Sequence, residues 1–204
     1  GESVPPSAVK RIYIPKADGS ERPLGIPTVR DRVVQQALLN VLQPIFDPGF
    51  HPSSYGYRPG RSCARAVAKA ERFSNRYGLM HVVDMDLSKC FDTLSHSLIF
   101  QGVSKQVSDG SVLELIRQML KSGIMDEGKY YPTEVGSPQG GVISPLLMNI
   151  YLDSFDQYMK GQGIRIVRYA DDILVFARTR SEAGHYRAIA TQYLEGKLEL
   201  KVNQ

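Results

Sequence analysis

The chain has 204 residues, 42% hydrophobic and 23% charged, enough for a real core in one large or two small globular units, and it holds no apolar run long enough to span a membrane. Its two cysteines, Cys63 and Cys90, stand without a Cys/His cluster at zinc spacing, so neither a disulfide framework nor a structural metal site is indicated. The net charge of +4 is uneven: residues 1–80 carry +6 and residues 81–204 carry −2. The first part suits a polyanion and the second a metal ion, although basic side chains scattered over a solvated surface give the same count. Nothing resembles a secretory signal, so a soluble intracellular chain is expected.

Residues 1–8, with Pro5 and Pro6, read as an extended lead-in. Residues 10–15 alternate in polarity as a strand does, residues 17–20 form a turn, and residues 22–27 return, which predicts a hairpin. Lys16 and Arg22 flank that turn, placed to grip a triphosphate or a strand backbone, or simply solvated. Thr28 caps a helix running to Phe46, with Asp31 three residues on and Val34, Leu38, Val41, Leu42 and Ile45 inward. A loop over residues 47–60 follows, rich in Pro, Gly, Ser and Tyr. Its interleaved Tyr55, Tyr57 and Arg58 suit stacking on bases and holding phosphates, with tight packing of loop tyrosines as the equal alternative. A helix over residues 61–76 presents Arg61, Arg65, Lys69, Arg72 and Arg76 at spacings of three or four, so one face is a cationic stripe.

Residues 80–87 read as a strand in which period-two alternation sets Asp84 and Asp86 on one face and Val83, Met85 and Leu87 on the other. Two acids on one face of so apolar a strand are unfavourable unless a cation meets them. Phe91 follows five residues after Asp86. Helices are expected over residues 93–102 and 108–122, and a small hairpin over 124–135. A glycine-rich loop over 136–141, carrying Gln139 and Gly140, then feeds a helix over 144–159. Helix entrances with exposed N–H groups are anion sites, but loops of this composition also serve plain turns.

Residues 164–177 form two mostly apolar, β-branched runs around Tyr169, Ala170, Asp171 and Asp172. This predicts a hairpin carrying two adjacent carboxylates at its tip, where an ordinary turn would favour Asn-Gly or Asp-Gly. A divalent metal is the fitting counter-charge, since it takes hard oxygen ligands. A helix over 181–194 and a strand-like segment over 197–202 with no partner close the chain. The absence of an initial Met and this unpartnered segment read as an excised fragment, with domains expected beyond both ends.

The element order predicts an α+β fold, an antiparallel sheet backed by helices, that brings Asp86 beside Asp171 and Asp172. Such a cluster suits two Mg²⁺ ions, with Mn²⁺ able to substitute, stabilising the attacking and leaving oxygens of a displacement at phosphorus.

Assembled in this way, the chain resembles a reverse transcriptase, most closely the proteins encoded by bacterial group II introns. Tyr169-Ala170-Asp171-Asp172 is similar to that family's Tyr-X-Asp-Asp box, the stretch from Asp84 to His96 to its palm strand, and the stretch from Gly136 to Asp153 to its Pro-Gln-Gly block. Residues 22–36 and 53–61 resemble its fingers motifs. The resemblance implies a right-hand polymerase fingers and palm: fingers over residues 1–80, with part of 103–135, and palm over 81–204, the thumb and maturase domain being absent. It implies Asp86, Asp171 and Asp172 as catalytic metal ligands, with Asp84 an accessory. Phe91 becomes the gate against a 2′-hydroxyl, and Lys16, Arg22, Gln139, Gly140, Tyr169 and Ala170 become nucleotide contacts, while Arg58, Arg61, Arg65 and Lys69 are expected to hold RNA.

The implied function is RNA-directed DNA synthesis from deoxynucleoside triphosphates on an RNA template with a DNA primer, in the bacterial cytoplasm. The parent would bind group II intron RNA and aid its splicing and retrohoming. Self-association into a homodimer is expected through surface meant for the thumb. The alternatives are an intron-RNA-binding maturase module without polymerase activity, and an RNA-dependent RNA polymerase, disfavoured because those generally carry Gly-Asp-Asp and no bulky gate.

Overall fold

The computed structural model describes residues 5–16 and 19–203. Residues 1–4 of the lead-in, and Ala17 and Asp18 of the first expected turn, lie outside the described residues. The chain forms two compact units, each made of two segments: Gly1–Phe46 with Phe91–Met148, and Asp47–Cys90 with Asn149–Gln204. These units do not follow the division at residue 80, because residues 47–80 share a unit with the strands that carry the acids.

In the first unit, β1 (Val9–Pro15) and β2 (Glu21–Ile26) form the expected antiparallel hairpin, with Ile14 opposite Arg22. Helix α1 (Val29–Phe46) begins as predicted. The Asp31 amide donates to Thr28 Oγ1 at 3.2 Å and Thr28 Oγ1 donates to Asp31 Oδ2 at 2.6 Å, a reciprocal cap. Its buried face differs from the expected one. Asp31 and Gln35 are buried beside Leu38, Leu42 and Phe46, whereas Val41 and Ile45 are exposed, in line with Val29 and Val33. The polar pair is buried because each finds partners: Asp31 in the cap, and Gln35 at the entrance of a later helix.

In the second unit, helix α2 (Cys63–Tyr77) is capped by Ser62, whose Oγ accepts from the Arg65 amide, and it ends at Gly78 with φ 68°. Strand β3 (His81–Asp86) leads to α3 (Cys90–Thr93), a single short turn. The helix expected over residues 93–102 is broken at Leu94 and Ser95, after which α4 (His96–Val103) begins.

Helix α4 already belongs to the first unit, where α5 (Gly110–Leu120) follows it, starting from Asp109, whose carboxylate accepts from the Ser111 and Val112 amides. The small hairpin β4 (Ile124–Asp126) and β5 (Lys129–Tyr131) does not stand alone. Val9 pairs with Ile124 in parallel, giving one four-stranded sheet in the order β2-β1-β4-β5.

Helix α6 (Ser144–Gly161) is buried on all sides from Leu146 to Leu152, and beyond that it keeps Phe155, Asp156 and Met159 buried. Beyond it, β6 (Arg165–Tyr169) and β7 (Asp172–Ala177) form the predicted hairpin. With β3 they make the second unit's sheet, all antiparallel, in the order β3-β7-β6. Helix α7 (Arg180–Gly196) is capped by Thr179 and packs on β7 and β3. Helix α2 packs on β6, with Ala66 and Phe73 against Tyr55, Leu79, Val167 and Phe176; the Phe73 and Phe176 rings meet edge to face at 5.3 Å. Burial of each of these two rings contributes roughly 1.5–3 kcal/mol. The segment after α7 is not the unpartnered strand expected. Leu198 and Leu200 are buried, Val202 bridges to Leu87, and the Asn203 amide donates to the Asp86 carbonyl at 2.9 Å.

The fold is thus α+β, as the element order predicts. Among the described residues no helix is long and apolar enough to cross a membrane.

Candidate active site

Strand alternation and register place the acids. Asp84 and Asp86 fall on one face of β3, and antiparallel pairing sets Asp86 directly opposite Asp172, the first residue of β7. Directly opposed residues share a face of the sheet, so Asp86, Asp84 and Asp172 lie on the same side. Asp171 is in the adjoining turn. Tyr169 pairs with Asp172, so the turn consists of Ala170 and Asp171 alone.

The electrostatics confirm the crowding. Partial burial, then the charges of Asp171, Asp86 and Asp84, hold the Asp172 carboxyl above the usual carboxylate range. The ion pairs of Arg30, Arg58, Arg117 and Arg168 involve none of these four acids. The Asp86 carboxylate accepts a hydrogen bond at 2.7 Å from the Asn203 side chain, a partner 117 residues away that no sequence pattern announces. Also among the described residues, no three His, Cys, Asp or Glu side chains are already closed around a common metal position. Unscreened carboxylates repel, and a neutral amide on Asp86 only partly offsets this. The donor set is nevertheless one of hard oxygens, which fits a divalent metal.

The turn is held by a buried cation absent from the predicted site. Arg168 is wholly inaccessible, and each guanidinium nitrogen is used. Nε donates to both Asp156 oxygens at 2.9 and 3.0 Å, and Nη2 to Asp156 Oδ2 at 2.6 Å and Ser54 Oγ at 3.0 Å. Nη1 donates to Asn149 Oδ1 at 3.0 Å and to the Ala170 carbonyl at 2.8 Å. The backbone of the 53–55 loop is bound to the same residue: the Arg168 amide donates to the Ser53 carbonyl, and the Tyr55 amide to the Arg168 carbonyl. One arginine therefore ties α6, the loop and the turn that carries Asp171 into one support.

Ala170 takes a positive φ of 58°, a conformation costing about 1–2 kcal/mol for a residue with a Cβ. Gly56 covers it so closely that a Cβ there would lie 2.3 Å from the Ala170 amide nitrogen, and Asn149 Nδ2 fixes the Gly56 carbonyl at 2.9 Å. Gly56→Ala must push the backbone of the turn. It is expected to lower stability by about 1–3 kcal/mol, read by urea unfolding, and to reduce nucleotide incorporation with it.

Two of the residues expected to touch ligand are corrected by these contacts. Ala170 is 5% exposed with its carbonyl occupied, so it shapes the turn rather than facing a nucleotide. Arg58 is likewise withdrawn from the RNA-contact set. It is 7% exposed, pairs with Asp47 at 2.7 Å and donates to the carbonyls of Asp47, His51 and Ser54. Tyr55 is also buried, so the 53–58 loop is largely packing. Tyr57 and Tyr169 remain at the surface. Arg61 donates to the Pro52 carbonyl and lies over the Tyr55 ring, and Arg65 donates to the Gly60 carbonyl; both keep accessible surface.

In the first unit, Lys16 and Arg22 are exposed at the turn end of the β1-β2 hairpin. The glycine-rich loop meets β2 through backbone, the Gly25 amide donating to the Gln139 carbonyl at 2.7 Å. Gly140, at φ 113°, approaches the Gly25 carbonyl where a Cβ would lie 2.8 Å away. Gln139 is half-buried and Gly140 exposed. The entrance of α6 is not an open anion site, because Gln35 Oε1 already accepts from the Val142 and Ile143 amides at 2.7 and 3.4 Å. Phe91 is buried in α3, and its carbonyl accepts from the Ser137 amide at 2.7 Å.

A family model described as reverse transcriptase (RNA-dependent DNA polymerase) matches residues 14–204. Protein YkfC of Escherichia coli K12 is 35% identical over 235 residues, covering 97% of this chain and 62% of that protein. The group II intron-encoded protein LtrA of Lactococcus lactis is 37% identical over 155 residues, covering 76% of this chain and 26% of that one. The chain thus spans less than two thirds of the length of these relatives. Among solved structures, apo telomerase from Candida tropicalis aligns with a TM-score of 0.69 at 14% identity, over 100% of this chain and 44% of that one. The Sicinivirus 3Dpol RNA-dependent RNA polymerase aligns at 0.59 and 16%, over 97% and 45%. At such identities the likeness is one of fold. Reverse transcriptases work on RNA and with divalent metal ions. With its acids opposed across an antiparallel sheet, its fold shared with polymerases and nearly its whole length matched, the chain belongs to the reverse transcriptase family.

Proposed function

We propose that this chain is the fingers and palm of a group II intron-encoded reverse transcriptase, extending a DNA primer with deoxynucleotides along an RNA template. The register that opposes Asp86 and Asp172 beside the turn carrying Asp171 is the observation that carries this reading. These three residues would hold two Mg²⁺ ions, or Mn²⁺ in their place. When bound, such ions stabilise the attacking and leaving oxygens of displacement at phosphorus. The chain's own part is placement: the Arg168 support fixes the turn, Lys16 and Arg22 meet the triphosphate, and Gln139, Gly140 and Tyr169 border the nucleotide. Arg61, Arg65 and Lys69 hold RNA backbone. In this reading the first unit supplies the fingers hairpin, and the β3-β7-β6 sheet is the palm. The parent protein would bind its intron RNA, aid splicing and retrohoming, and act in the bacterial cytoplasm.

The test is primer extension on an RNA template with deoxynucleotides against ribonucleotides. Incorporation restricted to deoxynucleotides supports the proposal, while RNA binding without incorporation by the longest obtainable chain supports a binding-only maturase module. Phe91→Ala should relax sugar discrimination by about 10–200-fold, the range that one pocket contact supplies. Unaltered exclusion of ribonucleotides would remove Phe91 from the gate.

A further inference from the structure

The N-terminal end of β6 carries a feature of which the polymerase reading uses Lys69 alone. A cavity of about 180 Å³ lies there, lined by His51, Lys69, Phe73, Tyr77, Lys160 and Arg165 among others, all of the second unit. It is distinct from the catalytic end. Arg165 and Tyr169 are the two ends of β6, about 13 Å apart at strand rise, and Asp172 is opposite Tyr169.

Three cations from three places in the chain meet at this cavity: Lys69 of α2, Lys160 of α6 and Arg165 of β6. Among the described residues none of them forms an ion pair with a carboxylate. Converging like charges repel and reduce stability unless an anion is bound between them. The cavity is smaller than the roughly 300–1,000 Å³ of sites for drug-sized ligands, so it suits a group of phosphate size rather than a whole cofactor. His51 supplies a matching neutral donor. Its Nδ1 accepts from the Ser53 amide at 3.1 Å, which leaves the proton on Nε2, and burial holds it in the neutral form. At the rim Tyr77 is 52% exposed, a ring available for stacking. Lys69 also continues a row: Arg65 and Lys69 lie four residues apart on one face of α2, so the cationic stripe leads to the cavity.

We propose that this cavity is a second RNA site, which takes a backbone phosphodiester of an unpaired strand between Lys69, Lys160 and Arg165, with the neighbouring base on Tyr77. The proposal rests on the polymerase reading only in taking RNA as the polyanion. Base stacking and backbone charge are the two elements by which single strands are held without sequence preference.

The test is fluorescence anisotropy with a short, unstructured, labelled RNA over a range of salt concentrations. Lys160→Gln with Arg165→Gln should weaken binding at least about tenfold near physiological salt and reduce the slope of log K against log salt by about 1.4, at roughly 0.7 per contact on a single strand. Tyr77→Leu should weaken binding about fivefold or more with the slope unchanged. Arg180→Gln with Arg187→Gln removes the same charge from exposed positions on α7 and should do neither. If the two pairs behave alike, or the slope holds when Lys160 and Arg165 are neutralised, the proposal is overturned. Asp172→Asn should leave RNA affinity and its slope intact, so loss of polymerisation and failure of this site read out separately.

Discussion

Asp172→Asn should make the protein more stable in metal-free buffer and, at the same time, abolish primer extension. The two effects have one origin. Asp172 faces Asp86 across the sheet and follows Asp171, and burial together with these charges raises its pKa. Like charges directly opposed in a sheet cost about 0.2–1 kcal/mol, which asparagine removes, so the thermal midpoint should rise by up to about 4 °C. Because the folded-state pKa lies above the unfolded one, the stability contributed by protonated Asp172 is present at low pH and is lost as pH rises through that raised pKa. The variant should lose this portion of the pH dependence. Divalent ions should reverse the order: they bind the native carboxylates, raise the wild-type midpoint by mass action and shift the variant less. Primer extension should fall at least about 10³-fold, corresponding to roughly 4 kcal/mol of transition-state stabilisation. A variant that melts earlier than wild type without metal, or that still extends primers, would sink the assignment of these acids.

Strand alternation and a cap made much of this site legible in advance. Asp84 and Asp86 could be given a face from period two alone, and the reciprocal cap of Thr28 and Asp31 fixed the start of α1. What stayed hidden were pairings between distant segments. The parallel bridge from Val9 to Ile124 has no connecting turn to announce it, and the return of Val202 to Leu87 needs the whole of α7 first. Buried polar residues misled in the same way. Arg58 in a Tyr- and Gly-rich loop looks like a phosphate ligand until Asp47 is seen to neutralise it. Gln35 on α1 is buried because the amides of Val142 and Ile143 claim its side-chain oxygen. One signal was available: alternation from Ile166 puts Arg168 on the inward face of β6, and an inward arginine requires an acid such as Asp156 among the apolar residues of α6.

That arginine should be the costliest single residue to lose. Arg168→Met leaves Asp156 fully buried without its cation and takes away the donors to Ser54 Oγ, Asn149 Oδ1 and the Ala170 carbonyl. Breaking one side of a buried pair typically costs 3–5 kcal/mol, so urea unfolding should show a loss of about that size and the thermal midpoint should drop by about 6–20 °C. Arg168→Lys should not rescue it, since a single ammonium cannot reach Asp156, Ser54, Asn149 and Ala170 together. Removing both charges, with Arg168→Met and Asp156→Leu, should recover much of the stability because the uncompensated carboxylate is gone. It should not recover primer extension. The Ala170 carbonyl and the 53–56 loop would still lack their tether, and displacement of catalytic groups by about 1 Å can lower rates about 10²-fold. Stability that returns while activity does not would show that Arg168 positions the catalytic turn. An Arg168→Met protein within about 1 kcal/mol of wild type would show that the turn holds itself.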